Sequence, residues 1–172
     1  GPQPRAWWFD ANANLHEMNA YQMEQPVISG TTLSASDLML SFIYWDNWQY
    51  VKSERVRGQR AHLIEFYSPY NIENGDSKVR AIIHSKYNAL IGADFYDSSN
   101  EITKKFDVLS FKKIDGEWMI KTMDYRNKNS GNKTRFTVSR AAIGIKLPLE
   151  FFDSSWTGMP PDIPYTRLKP AK

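Results

Sequence analysis

Asp115-Gly116 lies between two long runs rich in aromatic and β-branched residues, 102–113 and 118–127. A two-residue Asp-Gly loop favours the primed turns, whose twist matches that of antiparallel strands. The spacing therefore predicts a hairpin with its register fixed by the tip. In that register Phe106 faces Tyr125, Val108 faces Met123 and Lys112 faces Met119 on one side. Leu109 faces Thr122, Phe111 faces Ile120 and Lys113 faces Trp118 on the other. Both sides are substantially apolar. A sheet wetted on one face would alternate cleanly, so the pattern predicts at least partial cover on each side.

The same register sets Asp107 opposite Asp124, an unfavourable like-charge pair. A four-residue loop at 128–131 would bring the next strand alongside, with Arg135 facing Asp124 and Phe136 facing Met123. Asp107, Asp124 and Arg135 are thus expected to form a structural ion cluster, with Arg135 near both carboxylates. The alternative is an acid–base pair with separated pKa values. It has less support, because no nucleophile, histidine or oxyanion donor set is identifiable beside the two carboxylates.

Elsewhere the chain reads as short strands at 5–9, 15–18, 48–57, 60–67, 79–85, 90–96 and 133–140, with turn residues between them. One element breaks the pattern. Ser34 and Asp37 have capping-box spacing, and the residues at 38–45, LMLSFIYW, are apolar almost all round. This predicts one buried helix at about 34–45 filling a gap in the sheet; a membrane-touching helix is the lesser alternative. A helical turn opened by Pro148 is expected at 148–152. The proline-containing stretch 158–172 reads as an extended tail. No internal repeat is found, and the 172 residues suit a single domain spanning 1–172.

Several functions lack their residues. There is no cysteine, which excludes thiolate chemistry, zinc–sulfur sites and disulfides. Hydrophobic residues at 41% and charged residues at 24% fit a soluble globular chain. No apolar run approaches the ~18 residues of a membrane-spanning helix. Basic residues are scattered apart from Lys104-Lys105 and Lys112-Lys113, so no nucleic-acid partner is expected. The start, GPQP, has neither a basic nor an apolar signal region, which predicts a cytoplasmic chain or one whose address has been removed. His16, His62 and His84 stand on separate predicted elements without helical ligand spacing, so no metal is expected. Ser110 and Lys113 spell S-x-x-K, but three residues apart on a strand they point to opposite faces. Residues 97–101 and 71–76 are oxygen-rich turns without the spaced calcium pattern. Asn132-Lys133-Thr134 matches a glycosylation sequon, relevant only in a eukaryotic secretory setting. With no catalytic constellation and no cofactor motif, the residues point to a binding or carrier protein, not an enzyme.

Residues 93–156 carry the motifs DFYD, KKIDG, WMIKTM, RNKNSGNKT and IKLPLEFFD in that order. This series resembles the outer-membrane lipoprotein-sorting protein family with the LolA-like fold, whose corresponding pattern is EFYD, KEIDG, W-x-P, M-x-x-x-N, G-x-x-T and GLPDDLFS. AWWFDANANLHEM at 6–18 takes the place of that family's W-x-Y-x-P strand pair, and PVISGTTLSASDLM at 26–39 that of the loop into its helix. The likeness spans roughly 6–156 and is most specific over the last 65 of those residues. The family's strand proline is Ile120 here, which implies ordinary ladder pairing. The family's first helix and strands are missing, as in a truncated or shortened member, which would leave a sheet edge near 5–9 open to another chain.

The resemblance implies an α+β, mostly β fold: a curved open antiparallel sheet, or half-barrel, with the helix at about 34–45 packed in its concave face. It also implies that this face holds an acyl chain or another apolar ligand without covalent chemistry. The lining would be Phe106, Val108, Met119, Met123, Tyr125 and Phe136, with Leu38 and Phe42 from the helix. Methionine suits such a wall because it repacks around different shapes. The competing reading has those side chains packed only on the protein's own helix. The expected function is that of a non-catalytic bacterial envelope carrier or sorting factor for a lipid or lipoprotein acyl chain, periplasmic or outer-membrane associated. The alternative is an accessory subunit that docks on an inner-membrane transporter, or self-associates into a homo-oligomer through its sheet edge, with no ligand.

Overall fold

Hairpin geometry organises the chain. The structure, a computed structural model, describes residues 5–12, 14–69, 76–153 and 163–168. A small hairpin opens it, β1 (Trp7–Phe9) and β2 (Leu15–Glu17), paired antiparallel. Two short helices follow, α1 (Ala20–Met23) and α2 (Ala35–Met39). The main body is one antiparallel meander of seven strands in chain order. They are β3 (Trp48–Val56), β4 (Gln59–Tyr67), β5 (Lys78–His84), β6 (Leu90–Tyr96), β7 (Ile102–Ile114), β8 (Glu117–Asn127) and β9 (Lys133–Thr137). The final predicted strand is split: after β9 the chain leaves the sheet, and β10 (Arg140–Ala141) pairs with β11 (Thr166–Arg167) in the predicted tail. The rest of that tail, at 158–162 and 169–172, and the loop residues 70–75 lie outside the described residues. The helical turn expected after Pro148 is a 3-10 turn, Leu149–Phe152.

The Asp-Gly hairpin forms as its residues dictate. Asp115 and Gly116 both take positive φ, 49° and 93°, as a primed turn requires. Phe106 faces Tyr125, Val108 faces Met123, Lys112 faces Met119 and Lys113 faces Trp118. Between these pairs the ladder slips twice. Ser110, not Leu109, meets Thr122, so Leu109 on β7 and Lys121 on β8 are each an extra residue in their strand. The two bulges cancel in register but not in facing. Ile120 comes round to pack on the same cluster as Phe106 and Val108, and its neighbour Met119 turns to the opposite face. The expectation of Met119 in the inner lining is therefore corrected. Lys121 has its own reason to stand out of line: its buried ammonium donates to the carbonyls of Val138, at 3.0 Å, and Leu168, at 3.4 Å, fastening the strand that leaves the sheet.

The helical segment also departs from expectation. α2 ends at Met39 because Leu40 adopts the left-handed conformation, φ 47°. A separate 3-10 turn, Ser41–Tyr44, follows. The break replaces one buried helix at 34–45 with two short pieces. Phe42 turns inward, 1% exposed, while Leu38, Ile43 and Tyr44 face outward. α1 was not expected; Asn19 caps it reciprocally with Gln22, an N-x-x-Q box buried in a polar stretch.

Apolar residues are buried on both faces of the sheet. Beneath the helices lie Val79, Ala81, Ala93, Phe95, Phe106, Val108 and Tyr125, joined by Leu33 and Phe42. On the other face Ala61, Leu63, Ile82 and Ile91 form a smaller cluster. Charge runs across that second face in register: Glu65 pairs Arg80 at 2.6 Å and Asp94 pairs Lys105 at 2.9 Å. β3 and β9 are the outer strands of the seven-stranded sheet, and β3 is exposed along almost its whole length.

Candidate functional site

α2 is held to the sheet by polar groups, not by its short apolar face alone. Ser34 Oγ accepts from the Asp37 backbone N–H, and Asp37 Oδ2 accepts from the Ser34 N–H at 3.0 Å, completing a capping box. The other carboxylate oxygen of Asp37 turns to the sheet, where it accepts from the Tyr125 hydroxyl and from Lys104 Nζ at 3.1 Å. Lys104 bridges on to Asp76 at 2.8 Å, and Thr103 donates to the same carboxylate. Burial of charge requires such pairing.

Each titrating group in this network follows from its surroundings. Burial pushes Asp76 above the ordinary carboxylate range, with Lys104 opposing. Burial alone would lower Lys104, but Asp37 and Asp76 outweigh it and hold the ammonium well above its usual value. Burial and the adjacent Asp37 push the Tyr125 phenol far up, so the hydroxyl stays a donor.

Beside this network lies a cleft between α2 and the strands β8 and β9. Leu33, Leu38, Leu40, Phe106, Met123 and Phe136 form its apolar walls, and Asp37, Tyr125 and Thr134 its polar side. It encloses about 50 Å³. Liquid water takes ~30 Å³ per molecule and ligand pockets run to ~300 Å³ or more, so the cleft as it stands is far too small for an acyl chain. Leu38 and Phe136, 46% and 40% exposed, stand at its mouth. Phe42 fills the interior beyond, edge-on to Phe66 at 5.5 Å and Phe95 at 5.8 Å.

Five of the sequence-predicted lining residues come together here: Phe106, Met123, Tyr125, Phe136 and Leu38. Val108 and Phe42 belong to the core without lining the cleft. Leu33, Leu40 and Thr134 were not foreseen as lining. In the sequence Asp37 reads only as a cap; its reach to Tyr125, 88 residues away, carries no local signal.

The ion cluster sits on the opposite face. Asp124, 0% exposed, takes a two-pronged contact from Arg135, 2.7 and 3.0 Å, and Lys133 approaches at 3.0 Å. The Arg135 hydrogen bonds, against the cost of burial, hold its pKa at about 2. Asp107 does face Asp124 across the strands, but its cations are Arg57 at 3.2 Å and Arg126 at 3.9 Å, in place of the expected Arg135. A carboxylate fixed at about 2 is a permanent anion at neutral pH, suited to structure and not to proton transfer.

The histidines stay apart. His16 stacks on Trp8 and meets Asp10 at 3.1 Å, His62 meets Ser53 at 2.7 Å, and His84 lies 3.2 Å from Gln59. Among the described residues, no three histidine or acidic side chains form a set able to hold a metal ion. No helix among them is long and apolar enough to cross a membrane.

A family model described as an uncharacterized protein matches residues 4–156. No curated protein matches the chain. Solved structures do. A DUF1329 family protein from Desulfovibrio piger superposes with a TM-score of 0.71 at 20% identity, covering 87% of this chain and 62% of that one. A domain described as an outer membrane lipoprotein-sorting protein domain, from Vibrio parahaemolyticus, gives 0.68 at 19% identity, covering 83% and 61%. A LolA superfamily protein from Nitrosomonas europaea gives 0.58 at 16% identity, covering 76% and 58%. At these identities the likeness establishes the fold: mostly β, an open antiparallel sheet of LolA-like type. The chain spans about three-fifths of the length of these structures.

Proposed function

Since the chain belongs to the family of uncharacterized proteins whose model covers residues 4–156, and has the LolA-like fold, we propose that it is a non-catalytic bacterial envelope carrier that binds a lipid or lipoprotein acyl chain. The observation that carries this reading is the cleft between α2 and β8–β9, apolar on most of its walls and gated by exposed Leu38 and Phe136. Binding requires enlargement. α2 has five residues and ends at left-handed Leu40, so moving Leu38 displaces one short element, not a long helix. Met123 supplies an adaptable wall on the sheet side. A periplasmic or outer-membrane location and a lipoprotein partner follow from this reading. The test is lipid extraction and native mass spectrometry of protein purified from the envelope. Retained acyl species, lost when Leu38 and Phe136 are both replaced by aspartate, are expected. A protein that neither retains nor takes up any acyl ligand would overturn it.

A second reading is favoured by β3. Its outer edge faces solvent, and Trp48 and Tyr50 are 58% and 55% exposed. Such an edge invites strand pairing with a transporter subunit or a second copy. Light scattering across a concentration series tests the homo-oligomer; a monomer throughout removes that form of it.

A further inference from the structure

The cleft proposed to take acyl chains is not electrically neutral at its polar side. Asp37 lines it, and Lys104 Nζ lies between Asp37 at 3.1 Å and Asp76 at 2.8 Å. Glu24 is within electrostatic reach of the Tyr125 hydroxyl as well. One ammonium thus stands between two carboxylates, which leaves a surplus negative charge. The basic residues flanking Thr134 do not correct the balance, because Lys133 and Arg135 both turn to Asp124 on the other face of the sheet, at 3.0 and 2.7 Å. Tyr125 has already committed its proton to Asp37, so it offers no free donor to an incoming anion.

Chemistry then decides which headgroup can settle there. A carboxylate would leave water to face uncompensated negative charge at reduced dielectric, where a like-charge contact costs far more than in solvent. An ester, amide or hydroxyl head meets no such penalty, and an ammonium gains from the surplus charge. We infer that the cleft selects acyl ligands with uncharged or cationic heads and rejects fatty-acid anions. This rests on the carrier reading.

The test uses the full chain and displacement of a fluorescent apolar probe. The competitors are a monoacylglycerol, an alkylamine and a fatty acid of equal chain length, at mildly alkaline pH and low salt. The first two are expected to displace the probe at least ~10-fold more tightly than the fatty acid. Asp37→Asn should narrow that gap. Because this change also touches the α2 cap, Asp76→Asn, which bonds to the sheet and not to α2, provides the second variant and should narrow it too. A fatty acid that competes as well as the neutral ligand would overturn the selectivity while leaving the carrier intact. So would a gap that both variants leave unchanged. Failure of the probe and of all three ligands to bind would overturn the carrier reading itself.

Discussion

The Tyr125 hydroxyl donates to Asp37, joining the inner face of β8 to the helix that covers it. Two short helical pieces could not hold that position by apolar contact alone, since Leu38, Ile43 and Tyr44 face outward. The bond and its Lys104 neighbour are therefore expected to hold α2 in place. Tyr125→Phe removes one charge-assisted hydrogen bond and should cost about 1.5–3 kcal/mol in urea unfolding. Lys104→Met should cost more, about 3–5 kcal/mol, because it leaves Asp37 and Asp76 without their shared cation. A smaller loss for Lys104→Met than for Tyr125→Phe would contradict this ranking.

Asp124 sets an acid limit. Its folded pKa of about 2 lies below the 3.8 of an unperturbed aspartate, so on acidification the folded state binds its proton later than the unfolded chain does. The sign follows: the stabilisation is fully present above about pH 4 and is lost as pH falls through 2. Linkage gives it a size of roughly 2 kcal/mol. Asp124→Asn should lose about that much at neutral pH, and its stability should change less than the parent's between pH 4 and 2. Parallel pH profiles for the two proteins would show that Asp124 is not responsible.

Gly92 tests how tightly β6 packs. A Cβ there would lie 3.1 Å from the Phe106 carbonyl oxygen, 3.1 Å from Arg57 Nη2 and 3.3 Å from Ile82 Cδ1. The arginine can swing aside, but the carbonyl belongs to the β7 backbone opposite. Gly92→Ala should destabilise by about 1–3 kcal/mol, the usual range for overpacking. Calorimetry showing a raised melting temperature would mean that the strands part without strain.

The paired bulges make a prediction about facing. Ile120 packs on the core beneath the helices and Met119 does not, although a regular ladder would place them the other way round. Ile120→Ala should cost about 2 kcal/mol. Met119→Ala, half-buried on the other face, should stay within about 1 kcal/mol. Equal losses would mean that the bulges do not redirect the side chains.

That reversal marks where the sequence stops being legible. Asp115-Gly116 fixes a tip, and the register counted from it gives the partners on both sides of the slip, missing only the pairing of Leu109 with Thr122, because both are local rules. The double slip is not local: it comes with Lys121 reaching the carbonyls of Val138 and Leu168, and a bulge that cancels in register leaves no trace in length. The helical segment shows the same limit. An apolar run announces burial, yet Leu40 in a left-handed conformation is a tertiary outcome that no leucine propensity signals. The cleft was half legible. Its aromatic and methionine walls follow from strand facing, whereas Asp37 meets Lys104 across 67 residues and becomes visible only once α2 is folded onto the sheet.

Phe42 separates stability from capacity. It is 1% exposed and packs edge-on between Phe66 and Phe95, so it occupies the space that a bound chain would need beyond Leu38. Phe42→Ala should cost about 3–5 kcal/mol, the range for emptying a buried phenyl site. A cavity sealed inside an ordinary core takes up only small apolar molecules. Here the vacated volume adjoins an apolar cleft with an exposed mouth, so the folded variant should bind an alkyl probe more tightly than the parent, and should recover part of the lost stability when saturated. Thermal unfolding with and without the probe reads both effects. A variant that loses stability and gains no ligand-dependent rise would indicate that the interior beneath α2 is a closed core, and that the site of any cargo lies elsewhere on the molecule.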